Sequence, residues 1–77
     1  MSMPDELIGQ VITVLCLNYY SYTGKLVEIG ATCLKLENPI MTYNEIVPRL
    51  TERTVERLPA TFWYVELTAI ESFGLAG

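Results

Sequence analysis

The chain has 77 residues, a hydrophobic content of 51% and a formal net charge of −4. This length allows one small domain over residues 1–77, and the apolar content excludes a disordered chain. The acidic balance argues against a simple nucleic-acid binder, because phosphate neutralisation requires Lys or Arg side chains.

The two cysteines, Cys16 and Cys33, lie inside apolar runs, and the chain has no histidine. We expect two buried free thiols, with a disulfide between the two runs as the minority alternative. The lack of histidine excludes a mixed Cys/His zinc site, and no metal or other cofactor is expected. No signal peptide and no bilayer-spanning run is recognisable, so a cytoplasmic protein without membrane contact is expected.

The N-terminal elements are predicted as a short helix followed by two strands. The helix covers residues 2–9, because Pro4 suits its first position, acidic residues follow and Gly9 can end it. Residues 11–17 are apolar and rich in β-branched side chains, which predicts the first strand. A turn that carries aromatic residues leads into the second strand over residues 22–29.

The second strand contains a break of phase. Leu26 and Ile29 both have the character of core residues, yet they lie an odd number of positions apart. Side chains alternate faces along a strand, so both can face the core only if the strand bends or carries a bulge near Val27 and Glu28. A strongly bent second strand, preceded by Gly24, is what closes a small barrel.

The third strand follows a short turn at residues 30–32 and covers residues 33–37, where polar and apolar residues alternate. Asn38 and Pro39 are predicted to end it. Residues 38–60 form a long variable connection, for which the pattern favours an extended arm and leaves a short helix as the alternative.

Two further strands complete the predicted fold. Residues 61–65 are aromatic and apolar, and residues 69–73 form a last short strand that Gly74 ends. The elements together predict a mostly β domain, a small, strongly bent, five-stranded SH3-like barrel with a short N-terminal helix.

The bent strand carries the residues of a known motif. Gly24, Leu26 and Ile29 follow the order Gly-x-Leu-x-x-hydrophobic. This order resembles the first motif of the Sm/LSm family, which includes the bacterial Hfq branch. The chain departs from the family in its polar groups, since Gly30 stands at the position of the aspartate and Leu34 at that of the base-gripping asparagine.

Residues 64–70, Tyr-Val-Glu-Leu-Thr-Ala-Ile, resemble the Hfq segment that ends His-Ala-Ile, with Leu and Thr replacing its Lys and His. The resemblance implies an Sm-type barrel, a homo-oligomeric ring and two loops that hold RNA at the pore. The corresponding loop residues here are Gly30, Ala31, Thr32, Leu67 and Thr68. The residue types alone favour ordinary hairpin turns, so both interpretations stay open.

Three tyrosines in the turn after the first strand are the stronger candidates for nucleic-acid contact, namely Tyr19, Tyr20 and Tyr22. Aromatic rings stack on unpaired bases without regard to net charge. The resemblance to Hfq implies that this turn lies on the face opposite the pore loops, where Hfq binds purine-rich RNA. The alternative is that these rings pack the rim of the barrel or a subunit contact.

The only basic cluster consists of Arg49, Arg53 and Arg57. Three glutamates interleave with it, which favours a solvated surface with internal charge pairing over a phosphate-binding surface. A ring could nevertheless combine the arginines of several copies into a basic belt.

The last two predicted strands are expected to join copies of the chain. Each leaves an unpaired edge, and the aromatic strand is apolar on both faces, so that only one face can serve its own core. The predicted interface residues are Phe62, Trp63, Tyr64, Val65, Ile70 and Phe73.

The sequence contains no nucleophile with a suitable base, no phosphate-binding glycine loop and no carboxylate pair at a meaningful spacing, so we expect no catalysis. Two functions remain. The first is a ring that binds single-stranded RNA, or DNA, in RNA processing or regulation. The second is a protein-interaction or structural assembly module without nucleic acid, and the salt dependence of oligonucleotide binding would distinguish them.

Overall fold

The computed structural model describes residues 3–47 and 50–76, with side chains described for residues 3–43 and 55–76. Within these residues the chain forms six antiparallel strands in one sheet and two single 3-10 turns, which confirms the mostly β prediction. The strands are β1 (Val11–Cys16), β2 (Ser21–Ile29), β3 (Cys33–Val47), β4 (Leu50–Arg57), β5 (Phe62–Glu66) and β6 (Ile70–Leu75). The 3-10 turns span Asp5–Leu7 and Leu67–Ala69.

The sheet is open rather than closed. Its strands follow the order β4-β3-β2-β1-β6, and β5 also pairs with β3. One edge of β3 pairs with β2, whereas the other edge is shared between β5 and β4. Among the described residues no ladder joins β5 to β6. The described residues thus form six strands rather than the predicted five, and the SH3-like barrel stays a prediction.

The bend in β2 lies where the sequence predicted it. The pairing of β2 with β3 shifts register between Thr23 and Lys25, and again between Leu26 and Glu28. The second shift is the predicted bulge. It allows Leu26 and Ile29 to contact the core on the same face, although they lie an odd number of positions apart. Leu26 is fully buried, and Ile29 packs against the core with part of its surface exposed.

Gly24 lies at the first register shift, where β2 and β3 approach each other closely. A Cβ atom at this position would lie 2.9 Å from the carbonyl oxygen of Glu37 and 3.3 Å from the Cβ of Leu36. Glycine is the only residue that fits this approach without movement of the neighbouring strand. The close approach of β2 and β3 at this register shift therefore requires Gly24.

The prediction that Asn38 and Pro39 end the third strand is wrong, because β3 continues to Val47. The two residues form a bulge opposite Gly24. Asn38 takes a left-handed φ of 52°, which asparagine tolerates better than most residues. The bulge also accommodates the missing N–H of Pro39, so the ladder resumes beyond it.

Residues 38–60 are largely extended. β3 and β4 pair over eight positions, from Ile40 with Arg57 to Val47 with Leu50. This pairing agrees with the extended arm and not with the helix that the sequence left as an alternative. The arm adds the sixth strand to the sheet.

The helix predicted over residues 2–9, of which residue 2 lies outside the described part, is reduced to the 3-10 turn Asp5–Leu7. No side chain caps this turn, and Gly9 has a left-handed φ of 91°, so the turn does not propagate into a helix. Met3 is nevertheless buried, and Leu7 packs against the core.

Among the side chains described, the core draws on β1, β2, β3, β5 and β6. Its buried residues are Met3, Ile12, Val14, Cys16, Leu26, Leu34, Leu36, Val65 and Ile70. In this sheet, β5 and β6 each have one edge without a strand partner among the described residues.

Candidate assembly edges and nucleic-acid interface

β5 divides its side chains between the core and the outer face of the sheet. Val65 is buried and Trp63 is partly buried against the core, whereas Phe62 and Tyr64 are exposed on the opposite face. β5 pairs only with β3, so its other edge has no strand partner among the described residues. The strand therefore presents apolar side chains on both faces beside a free edge.

Lys35 lies over the outer aromatic residues of β5. Its Nζ is 4.2 Å from the centre of the Phe62 ring and 5.8 Å from that of Tyr64. An ammonium group at these distances is attracted to the ring faces. The side chain of Lys35 therefore contacts the outer aromatic pair and belongs to this surface.

β6 leaves part of its core-facing side uncovered. Ile70 is buried and Phe73 packs against the core. Leu75 lies directly across from Ile12, which is fully buried, so both side chains are on the core face of the sheet. Leu75 is nevertheless 62% exposed, so the described residues leave most of this side chain uncovered.

A cleft of about 260 Å³ lies along β5 and extends to the end of β1 and to the turn before β6. Its lining residues are Cys16, Asn18, Tyr22, Trp63, Tyr64, Val65, Glu66 and Ala69. Burial raises the pKa of the Cys16 thiol above its ordinary value. Burial is also the main cause that raises the pKa of the Tyr22 phenol, with a smaller contribution from Cys16. Aromatic rings form much of the lining of the cleft, and Glu66 contributes its one carboxylate.

The two loops expected to hold RNA lie side by side. The backbone N–H of Leu67 donates a 2.9 Å hydrogen bond to the carbonyl oxygen of Thr32. Thr32 and Thr68 are exposed, whereas Leu67 is half-buried. The loop residues are Gly30, Ala31, Thr32, Leu67 and Thr68, and none of them is basic. The adjoining Glu66 adds an exposed carboxylate, whereas Lys35 lines a small pocket together with Gly30.

The three tyrosines of the turn occupy different environments. Tyr22 packs against the core and against Trp63, with 6.1 Å between ring centres. Tyr20 contacts Tyr43 of β3, with 5.1 Å between ring centres and 50° between planes. Tyr19 is 79% exposed. Of the three, Tyr19 and Tyr20 are therefore the exposed rings, whereas Tyr22 is half-buried and lines the cleft. The sequence did not indicate the contact of Tyr20 with Tyr43, because the two lie 23 positions apart.

The arginine cluster falls largely outside the described residues. Arg49 is not described, and for Arg53 only the backbone pairing with Asn44 is described. Arg57 is exposed on β4, across from Ile40. The alignment of the three side chains stays a prediction.

Both cysteines are free thiols, as predicted. Cys16 is buried as expected, whereas Cys33 is only half-buried. No group of three or more Cys, Asp or Glu side chains that could hold a metal ion occurs in the described part of the chain. Over the same residues, no helix is long and apolar enough to cross a membrane.

No protein-family model matches the chain, and no curated protein matches it. The likeness to the Sm/LSm family therefore stays a prediction from the residues of the two motifs.

Proposed function

We propose that this chain is an Sm-like assembly module whose copies join β5 to β6 in a closed homo-oligomeric ring, and that the ring binds single-stranded RNA without catalysing a reaction. The observation that carries the proposal is the exposure of Leu75 on the core face of an edge strand. The described residues provide no cover for a side chain in this position, and a second copy can supply one.

The two free edges are suited to each other. β5 has five residues and β6 has six, and each pairs with only one strand among the described residues. An unpaired edge recruits other strands, and joining β5 of one copy to β6 of the next would leave neither edge free. Such a contact is head-to-tail, and a head-to-tail contact forms a ring when its rotation closes.

The side chains of the two edges complement each other on both faces. On the core face, Trp63 and Val65 of one copy would meet Phe73 and Leu75 of the next. On the outer face, Gly74 has no atom within 4 Å of the position of a Cβ, so there is room beside β6 for the exposed ring of Tyr64. Aromatic residues commonly stabilise strand glycines by covering them in this way.

The tyrosine turn supports the RNA part of the proposal. Tyr19 and Tyr20 offer aromatic surface next to the end of β1, and stacking on unpaired bases contributes about 1–3 kcal/mol per base. A ring repeats this turn once per subunit, so weak contacts to one strand of RNA add through avidity. DNA is an alternative ligand, since stacking does not distinguish the two sugars.

A second candidate is an assembly module that binds protein partners and no nucleic acid. The specific observation in its favour is the surface formed by the loops at Thr32 and Thr68, which has no basic residue and adjoins Glu66. The net charge of −4 points in the same direction.

The proposal is tested by native mass measurement followed by titration with fluorescent A-rich and U-rich RNA and with single-stranded DNA. We expect an oligomer that binds at least one of these strands, with an affinity that falls as salt concentration rises. An oligomer that binds none of them would favour the second candidate, and a monomer would contradict both the ring and its function.

A further inference from the structure

The turn between β1 and β2 is a three-residue hairpin loop. The N–H of Cys16 donates a 2.8 Å hydrogen bond to the carbonyl oxygen of Tyr20, and the N–H of Tyr19 donates a 3.0 Å bond to that of Cys16. The N–H of Tyr20 also donates a 3.1 Å bond to Oδ1 of Asn18. The loop residues are thus Leu17, Asn18 and Tyr19, and these bonds fix their backbone.

The third position of such a loop requires a left-handed backbone and is normally taken by glycine or asparagine. Tyr19 has a φ of 68°, in the left-handed region, where a bulky side chain is strained. An asparagine is present in the loop, but one position earlier, at Asn18. The chain therefore carries a tyrosine where the fold favours a much smaller residue.

Packing within the chain does not explain this choice. Tyr19 is 79% exposed, the highest value among the large apolar residues described. The two aromatic ring pairs of the described residues join Tyr20 to Tyr43 and Tyr22 to Trp63, and neither includes Tyr19. The side chain of Tyr19 thus adds strain to the isolated chain and gains little contact in return. Strain of this kind is retained when it serves binding.

We propose that Tyr19 is held in the left-handed conformation for ligand recognition, and that its ring stacks on one unpaired base of single-stranded RNA in each subunit. The inference rests on the RNA part of the proposed function and identifies the residue on which that binding depends. It also implies that Tyr19 contributes to affinity and not to folding.

Two neighbouring groups favour a base over an apolar peptide. Tyr20 and Tyr43 form a second aromatic surface beside the loop. Because Oδ1 of Asn18 already accepts the N–H of Tyr20, its amide nitrogen is the remaining polar group and can donate to an acceptor on a base edge. A flat ring face next to a single donor suits an unpaired base, which has a π face and acceptors on its edge.

The test compares Tyr19→Gly with Tyr19→Phe in the full chain. Glycine suits the left-handed backbone, so we expect the melting temperature of Tyr19→Gly to stay level or rise by up to about 5 °C. Its affinity for a fluorescent A-rich or U-rich RNA should fall at least about 5-fold, the lower bound for losing one stacked ring, because the substitution removes the ring from every subunit. Tyr19→Phe keeps the ring and should bind within about twofold of the unchanged protein. The molecular mass of each variant is measured in parallel.

The outcomes separate this inference from the proposed function. If the unchanged protein binds RNA and Tyr19→Gly binds it equally well, the inference is overturned while the proposed function stands. If the unchanged protein binds no RNA, the RNA part of the proposed function fails and the inference fails with it. If Tyr19→Gly alters the mass and not the affinity, the turn belongs to a contact between protein copies, which also overturns the inference.

Discussion

A Cβ atom on Gly24 would lie 2.9 Å from the backbone carbonyl oxygen of Glu37 on the neighbouring strand. We therefore expect Gly24→Ala to lower the free energy of unfolding by about 1–3 kcal/mol, since β3 must move to accept the methyl group. Val55→Ala is the control, because this side chain is exposed on the arm and lies outside the proposed subunit contact. Equal unfolding midpoints in urea for the two variants would contradict the close approach of β2 and β3.

Leu26 tests the contribution of β2 to the core. It is fully buried, so Leu26→Ala should lower the free energy of unfolding by about 2–5 kcal/mol. Val55→Ala on the exposed arm is the control and should change it by less than about 0.5 kcal/mol. A small effect at Leu26 would mean that this side chain does not face the core.

Stability should fall at alkaline pH. Burial raises the pKa of the Tyr22 phenol and of the Cys16 thiol above their ordinary values of 10.0 and 9.0. The folded state holds these two protons more tightly than the unfolded state does. The stability that this provides is fully present below pH 9 and is lost as pH rises through the ordinary values and then the higher folded ones.

Urea midpoints measured between about pH 8 and pH 11 check this expectation. Tyr22→Phe removes one of the two groups and should make the alkaline decline shallower. Tyr19→Phe removes a phenol that lies in solvent and serves as the control for loss of a hydroxyl group. An alkaline decline in Tyr22→Phe as steep as in the unchanged protein would refute the assignment to Tyr22.

The joined loops allow a charge test of RNA contact. Thr68→Lys adds a cation to the surface where Leu67 bonds to Thr32, and Thr61→Lys adds the same charge at the opposite end of β5. If these loops face RNA, only Thr68→Lys should steepen the salt dependence of affinity, by about 0.7 in the log–log slope for each subunit whose lysine contacts the strand. The same slope in both variants would show that the loops are ordinary turns.

The bend was predictable from the sequence because it depends only on how side chains alternate between the two faces over a few adjacent residues. Leu26 and Ile29 break the alternation of a strand, and Gly24 precedes the break, so a bulge follows from a few adjacent residues. The extended arm was predicted only in part. Asn38 and Pro39 are strong strand breakers by composition, yet a bulge in a paired strand absorbs both of them, and the sequence does not reveal that pairing.

The candidate site depends on pairs that are distant in sequence. Tyr20 meets Tyr43 across β2 and β3, and Tyr22 packs on Trp63, so one turn contributes both an exposed and a core residue. No local pattern separates these roles. Leu75 did carry a signal, since it lies two positions after Phe73 and continues the alternation beyond Gly74. The prediction that Gly74 ends the last strand is wrong, because β6 continues to Leu75.

The ring itself is tested most directly by light scattering at micromolar concentration on the unchanged protein, Leu75→Asp and Val55→Asp. Leu75 and Val55 are 62% and 61% exposed, so neither change should unfold the isolated chain. We predict one species whose mass is a fixed multiple of 8.7 kDa for the unchanged protein and for Val55→Asp, and dissociation for Leu75→Asp. A monomeric mass for the unchanged protein, or an oligomer that Leu75→Asp leaves intact, would contradict the joining of β5 to β6.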